Sequence, residues 1–199
     1  MKDEYNDFLS LSKKEKLDED YQIRSSNRNS DFLIMAPHGG SIEGGTSEIA
    51  LSIAGDDFSF YLFEGIKRRN NKILHITSAR FDEPQAIDMA KNCESILTIH
   101  GESSDEKVVY IGGLNSKFKK KISDSLIEAE FTVGVNENPA LDGKSRSNIC
   151  NYGRSRAGVQ LELANGLRQS FFTSLSPTGR KTVTPEFNRF VGAIRRALQ

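Results

Sequence analysis

The chain has 199 residues, and its 27 lysines and arginines cancel its 27 aspartates and glutamates to a formal net charge of zero. That length supports one substantial core and is short for two, so a single domain spanning residues 1–199 is expected. Balanced charge offers no general field for nucleic acid or an anionic bilayer, no apolar run approaches the roughly 18 residues of a membrane span, and the polar start Met1-Lys2-Asp3-Glu4-Tyr5 holds no export signal.

In chain order, residues 1–20 are polar with a weak helical period through Phe8-Leu9-Ser10-Leu11, read as a solvated helix face or a loose N-terminal arm. Tyr21-Gln22-Ile23-Arg24 alternates like a short strand, and residues 25–30 supply turn formers. Phe32-Leu33-Ile34-Met35-Ala36 is an apolar run of strand length stopped by Pro37, and the glycine-rich loop from His38 to Gly45 follows it. A helix is expected from Thr46 or Ser47 to a stop at Gly55. Residues 58–64 read as a strand or edge strand, 72–77 as a strand, 85–90 as a helix and 95–100 as a core strand. A strand at 108–113, a basic amphipathic helix at 115–129 and a strand at 131–135 come next. The polar stretch 136–151 leads to a last core strand at 159–163, and a final helix spans 185–198. Strand, helix and strand alternating at short spacing predict an α/β fold, a mostly parallel mixed sheet flanked by helices.

The chemistry concentrates at strand ends. At about 100° per residue, His38 and Glu43 would point about 140° apart on a helix, so they converge only from a loop. Glycines around them permit the tight turns this requires. Imidazole and carboxylate suit Zn²⁺, whose catalytic sites usually take three protein ligands and leave a position for water. There are three histidines. His100 closes Ser95-Ile96-Leu97-Thr98-Ile99-His100-Gly101 and repeats the strand-then-His-Gly pattern of His38, at the carboxyl end of a strand where α/β sheets collect ligands. His75, flanked by Leu74 and Ile76, is read instead as a packed strand residue. Glu48 falls in the first turn of a helix, where the dipole already accounts for an acid, so Glu43 is kept as the ligand. Cys93 and Cys150 lack CxxC spacing, which excludes a cysteine-based zinc site, and no disulfide is expected without an export signal. The run Lys117-Phe118-Lys119-Lys120-Lys121 is read as a solvated helix face, and the long polar loop carrying Asn136, Asn138, Arg146, Asn148 and Asn151 as functional.

Four segments carry a resemblance: Ala36-Pro37-His38-Gly39-Gly40-Ser41-Ile42-Glu43; Leu74-His75-Ile76-Thr77-Ser78 with Phe81-Asp82-Glu83-Pro84; Thr98-Ile99-His100-Gly101; and Asn148-Ile149-Cys150-Asn151 with Gly158-Val159-Gln160-Leu161-Glu162-Leu163. Together and in this order they resemble the phage-type poly-γ-glutamate hydrolase family. The resemblance implies a zinc-carboxypeptidase-like fold, hydrolysis of γ-glutamyl amide bonds in the capsule polymer poly-γ-glutamate, zinc as cofactor, and His38, Glu43 and His100 as its ligands. It puts Glu162 where a metallocarboxypeptidase-type general base stands, and a glutamate in an apolar strand must in any case serve a site or an ion pair if it points inward. A polymer with a free α-carboxylate on every unit calls for arginines, and Arg80, Arg154 and Arg156 are the candidates. The family pattern places Asn-Arg-Gly after the Ile-Cys step, whereas here Asn151-Tyr152-Gly153-Arg154 follows.

The expected partner is this anionic polymer, met by a soluble monomer made in the cytosol, with lysis as the route to any substrate outside the cell. Two other readings stay open: a zinc amidase on another acyl-amino-acid or cell-wall γ-glutamyl substrate, and a non-catalytic module that binds a polyanion.

Overall fold

The computed structural model describes residues 3–135, 138 and 141–199. Seven strands, β1 (Tyr21–Ser26), β2 (Phe32–Gly40), β3 (Ser59–Gly65), β4 (Ser95–Gly101), β5 (Val108–Gly112), β6 (Thr132–Gly134) and β7 (Val159–Leu163), form one sheet in the order β1-β3-β2-β4-β7-β5-β6. The four central strands β3, β2, β4 and β7 run parallel. At the flanks, β1 pairs antiparallel with β3, β5 pairs antiparallel with β7, and β6 runs parallel to β5.

Both faces of the sheet are covered, which is why its central strands are nearly continuous apolar runs. On one face lie α2 (Thr46–Ala54), α4 (Ser116–Glu128) and α6 (Pro185–Leu198), whose Ile49, Ile53, Phe118, Ile122, Phe190 and Ile194 share a core with Ile34, Ala36, Ile99 and Leu161. On the other, α1 (Phe8–Ser12) and α3 (Pro84–Asn92) bring Leu11, Ala86 and Met89 onto Leu33, Met35, Tyr61 and Phe63. A short helix, α5 (Asn165–Ser170), follows β7. α2 ends at Gly55, whose φ of 52° favours glycine. The basic run falls on α4, with Lys117, Lys120 and Lys121 exposed. Cys93 and Cys150 are buried free thiols, and no helix among the described residues is long and apolar enough to cross a membrane.

Three segments depart from expectation. The N-terminal segment is not a loose arm: Asp7 and Ser10 form a capping box on α1, Tyr5 and Leu11 are buried, and the Phe8 ring lies edge-on to Tyr21 and Phe63. Residues 12–14 remain exposed, but Glu15 is buried, bonded to the Tyr5 hydroxyl and to Lys67. Residues 58–64 do not make an edge; β3 lies between β1 and β2 and is buried along its whole length. Residues 72–77 are not a strand. A 3-10 turn at Asn71–Leu74 leads into an extended strap whose backbone bonds to side chains instead, the Ile76 carbonyl to His38 and the Thr77 N–H to Asp3. Of the polar stretch 136–151, residues 136, 137, 139 and 140 lie outside the described residues, and its far end is pinned by Asn151, which donates to the carbonyls of Gly143 and Ser145.

Leu11 has no exposed surface. Leu11→Ala should therefore cost about 2–4 kcal/mol in a urea melt, whereas a loose arm would leave the melt unchanged.

Candidate active site

The site begins with an irregularity in β2. Its pairing with β3 runs Leu33 to Ser59 through Ala36 to Leu62, then resumes at Gly39 to Glu64, so β2 carries one extra residue at Pro37-His38. Proline has no N–H for the ladder, and a one-residue bulge reverses the side chains beyond it. Ile34 and Ala36 face the α2–α4–α6 core. Unbroken alternation would send His38 there too; the bulge turns it to the opposite face, where its Nε2–H donates to the Ile76 carbonyl at 2.8 Å. The strand thus continues through Pro37 to Gly40 rather than ending at the proline.

Pairing of β2 with β4 stops at Met35 and Thr98, while β4 stays paired with β7 as far as His100 with Glu162 and Gly101 with Leu163. The strands part at the point where the sheet order reverses direction, the crevice in which α/β sheets hold ligands. Along β4 and β7, Leu97, Ile99, Val159, Leu161 and Leu163 face the first core. The alternate residues His100, Gln160 and Glu162 therefore look into the crevice.

There His38 Nδ1 lies 3.1 Å from Glu43 Oε1 and 3.1 Å from His100 Nδ1, and His100 Nδ1 lies 3.8 Å from Glu43 Oε2. The Gly101 N–H donates to Glu43 Oε2 at 2.8 Å. A carbonyl only accepts, so His38 carries its proton on Nε2 and its neutral form presents a lone pair at Nδ1. The His38 lone pair and the Glu43 carboxylate then face His100 Nδ1, whose Nε2 lies 3.4 Å from the Ser78 hydroxyl, an arrangement that a proton or a metal ion among them would satisfy. Burial opposes charge on His38, but the Glu43 carboxylate outweighs it and holds the imidazole above its usual range. Burial would raise Glu43, yet the charge and hydrogen bond of His38 draw it down to about 2. Burial, reinforced by charge on His38, pushes His100 down to about 3. One positive charge thus serves the whole cluster. The imidazole and carboxylate donors are of the kinds zinc takes, and their separations of 3.1–3.8 Å lie around the tetrahedral edge of about 3.3 Å expected for metal–ligand bonds of about 2.0–2.1 Å.

His75 belongs to this site and not to a strand core. Its Nδ1 is 2.7 Å from Asp3 Oδ1, its ring centroid is 3.9 Å from that of His38, and its Nε2 is 3.8 Å from Glu43 Oε1. His38, Glu43 and His75 offer ligand atoms within 4.8 Å of one another, a second grouping able to hold an ion. Charge on His38, then burial, lowers the His75 pKa. Asp3 also accepts from the Thr77 N–H at 2.8 Å and pairs with Arg80 at 3.2 Å, fixing the strap.

Glu162 is buried, accepts from Gln160 Nε2 at 2.9 Å, and faces a cavity of about 580 Å³ that His38, Glu43, His75 and His100 also line. Asn148 in turn donates to Gln160 at 2.9 Å. Burial, and then the Glu43 charge, push the Glu162 carboxyl well above the ordinary carboxylate range. Arg168, unremarked in the sequence, braces three segments by donating to the carbonyls of Leu163, Gly44 and Glu102.

Of the candidate arginines, only Arg80 borders the site, in an adjoining cavity with His75 and Lys72. Arg154 binds Asp31, Glu94 and the Asn92 carbonyl, just ahead of β2 and β4. Arg156 lies in the same turn over the Tyr152 ring, 5.9 Å from its centroid. The cause is topological. Residues 151–158 enter β7, which runs parallel to β2 and β4, so they sit at the edge of the sheet opposite to His38 and His100.

Imidazoles and carboxylates gathered at the carboxyl ends of parallel strands, beside a cavity, mark the chain as an α/β enzyme. A family model described as poly-gamma-glutamate hydrolase matches residues 5–193, and the chain belongs to that family. YmaC of Bacillus subtilis (strain 168) is 36% identical over 99% of this chain and 84% of its own length. Among solved structures, a bacteriophage poly-gamma-glutamate hydrolase superposes with a TM-score of 0.95 at 31% identity, covering 99% of this chain and 97% of that one. A zinc-free apo structure of YndL superposes with a TM-score of 0.94 at 34% identity, covering 99% and 98%.

A carboxyl whose folded pKa is raised favours the protonated fold. The stability it contributes is complete below the unfolded pKa and is lost as pH rises through the folded value. In metal-free protein, Glu162→Gln should therefore raise Tm near neutral pH, with the gain disappearing below about pH 4; equal Tm values across that range would refute the assignment of a raised pKa.

Proposed function

We propose that this chain is a zinc-dependent hydrolase that cleaves the γ-glutamyl amide bonds of poly-γ-glutamate. The observation that carries the reading is the convergence of His38 Nδ1, Glu43 and His100 Nδ1 within 3.8 Å beside the cavity that Glu162 faces. The family relationship and the zinc-free YndL structure support it.

His38, Glu43 and His100 would hold the ion. Bound there, zinc lowers the pKa of a water and polarises the amide carbonyl. Its preference for this trio over the one with His75 follows from direction: both Nδ1 atoms and the carboxylate point at one another, whereas His75 lies partly stacked on His38 at an interplanar angle of 36°. The backbone N–H of Gly101 and the Ile76 carbonyl fix the orientations of Glu43 and His38, the kind of support that sets ligand geometry. Glu162 accepts the proton of the attacking water and delivers it to the leaving amine. Gln160, held by Asn148, keeps the Glu162 carboxyl in place.

Glu162→Gln should lower kcat about 10²–10⁴-fold while the zinc content, read by atomic absorption, stays the same. His38→Ala should instead lose the metal. Dialysis against a chelator should stop shortening of poly-γ-glutamate, followed by gel filtration, and added zinc should restore it. Full activity in metal-free protein would rule the proposal out, and cleavage of muropeptides but not of the polymer would move the substrate to the cell wall.

A further inference from the structure

A third cavity, of about 560 Å³, lies on another flank of Glu43 and plays no part in the chemistry above. Lys72, Arg168 and Arg180 line it, together with Ser41 and Ser103, and Glu43 is the one carboxylate among its described lining residues. That carboxylate is turned to His38, His100 and the Gly101 N–H. The lining is therefore cationic.

The guanidinium groups are built into the loops on either side of Glu43. A Cβ at Gly44 would meet Arg180 Nη1 at 3.3 Å, and one at Gly101 would meet Arg168 Cζ at 2.7 Å. Arg180 is buried; it gives Nε to Glu48 and Nη1 to the Leu175 carbonyl, and Nη2 has no partner among the described residues. Arg168 spends three N–H groups on carbonyls, and Nη1 and Nη2 each keep one more. Lys72 is exposed, and its ammonium has no hydrogen bond or ion pair among the described residues. Buried arginines with spare donors, plus a free lysine at the rim, suit a planar anion.

We infer that this cavity is a carboxylate subsite in which Lys72 and Arg180, backed by Arg168, bind the α-carboxylate of the γ-glutamyl unit next to the bond that is cut. The inference rests on the substrate class proposed above. It replaces Arg154 and Arg156, which the fold carries to the far edge of the sheet, with cations that adjoin Glu43 itself.

The test uses zinc-loaded Glu162→Gln protein and calorimetry, so that binding is read without turnover. The probes are a short γ-glutamyl oligomer and the same oligomer with its α-carboxylates converted to amides. The unblocked oligomer should bind more tightly. Lys72→Gln and Arg180→Gln should each weaken it about tenfold, leave the blocked oligomer's Kd unchanged, and so shrink the discrimination; Lys72→Arg should keep it. Lys72 is exposed, so its substitution remains informative even if Arg180→Gln lowers Tm. Equal affinity for the two oligomers, or equal loss for both in the variants, would overturn the subsite. A parent enzyme that binds the oligomer with this discrimination but never shortens the polymer would sink the hydrolase reading and leave the subsite standing.

Discussion

Two buried imidazole nitrogens and a partly buried carboxylate face one another across 3.1–3.8 Å. Acceptors so placed need a proton or a metal ion among them, and in a buried site any charge there is felt with little screening. Much of the surrounding backbone reads as a means of holding this arrangement. The β2 bulge turns His38 out of the apolar core, the Ile76 carbonyl fixes its tautomer, and the Gly101 amide anchors Glu43.

The sheet sets the arrangement within a larger constraint. Parallel strands β2 and β4 are neighbours only as far as Met35 and Thr98. Beyond that point their carboxyl ends diverge, while β4 and β7 stay together long enough to bring His100 and Glu162 side by side. The two residues are thus partners on one rung of the β4–β7 ladder. Their relative placement depends on backbone hydrogen bonds rather than on flexible side chains, which is the geometry a preorganised site needs.

Much of this was legible in the sequence. Long apolar runs separated by amphipathic segments pointed to a helix-covered, mostly parallel sheet, and the repeated strand-then-His-Gly step singled out His38 and His100, which the fold does bring together. The misread secondary-structure segments share a cause, the assumption that a local pattern decides pairing. Leu74-His75-Ile76 has the look of a strand, but its partners are side chains remote in sequence, Asp3 and His38 among them. Nothing in the local pattern marks Asp3 as the partner of His75. Arg154 and Arg156 are a different error. Given a parallel sheet, residues that enter β7 belong at the edge opposite to residues that leave β2, and that deduction was open from topology alone. Arg168 and Arg180 carry no local signature, because what matters about them is which loop carbonyls they reach.

The hold of Asp3 on the strap spans sequence separations of 72 to 77 residues. Contacts that close such long loops have a large entropic hurdle and tend to form late. The strap also has no ladder of its own to keep it in place. The sheet and its helices can therefore be fully native while the cavity wall containing His75 is still undocked, which makes undocking of the first residues a local opening, distinct from global unfolding. Amide exchange at Thr77 would report that opening separately from the slow exchange of β4.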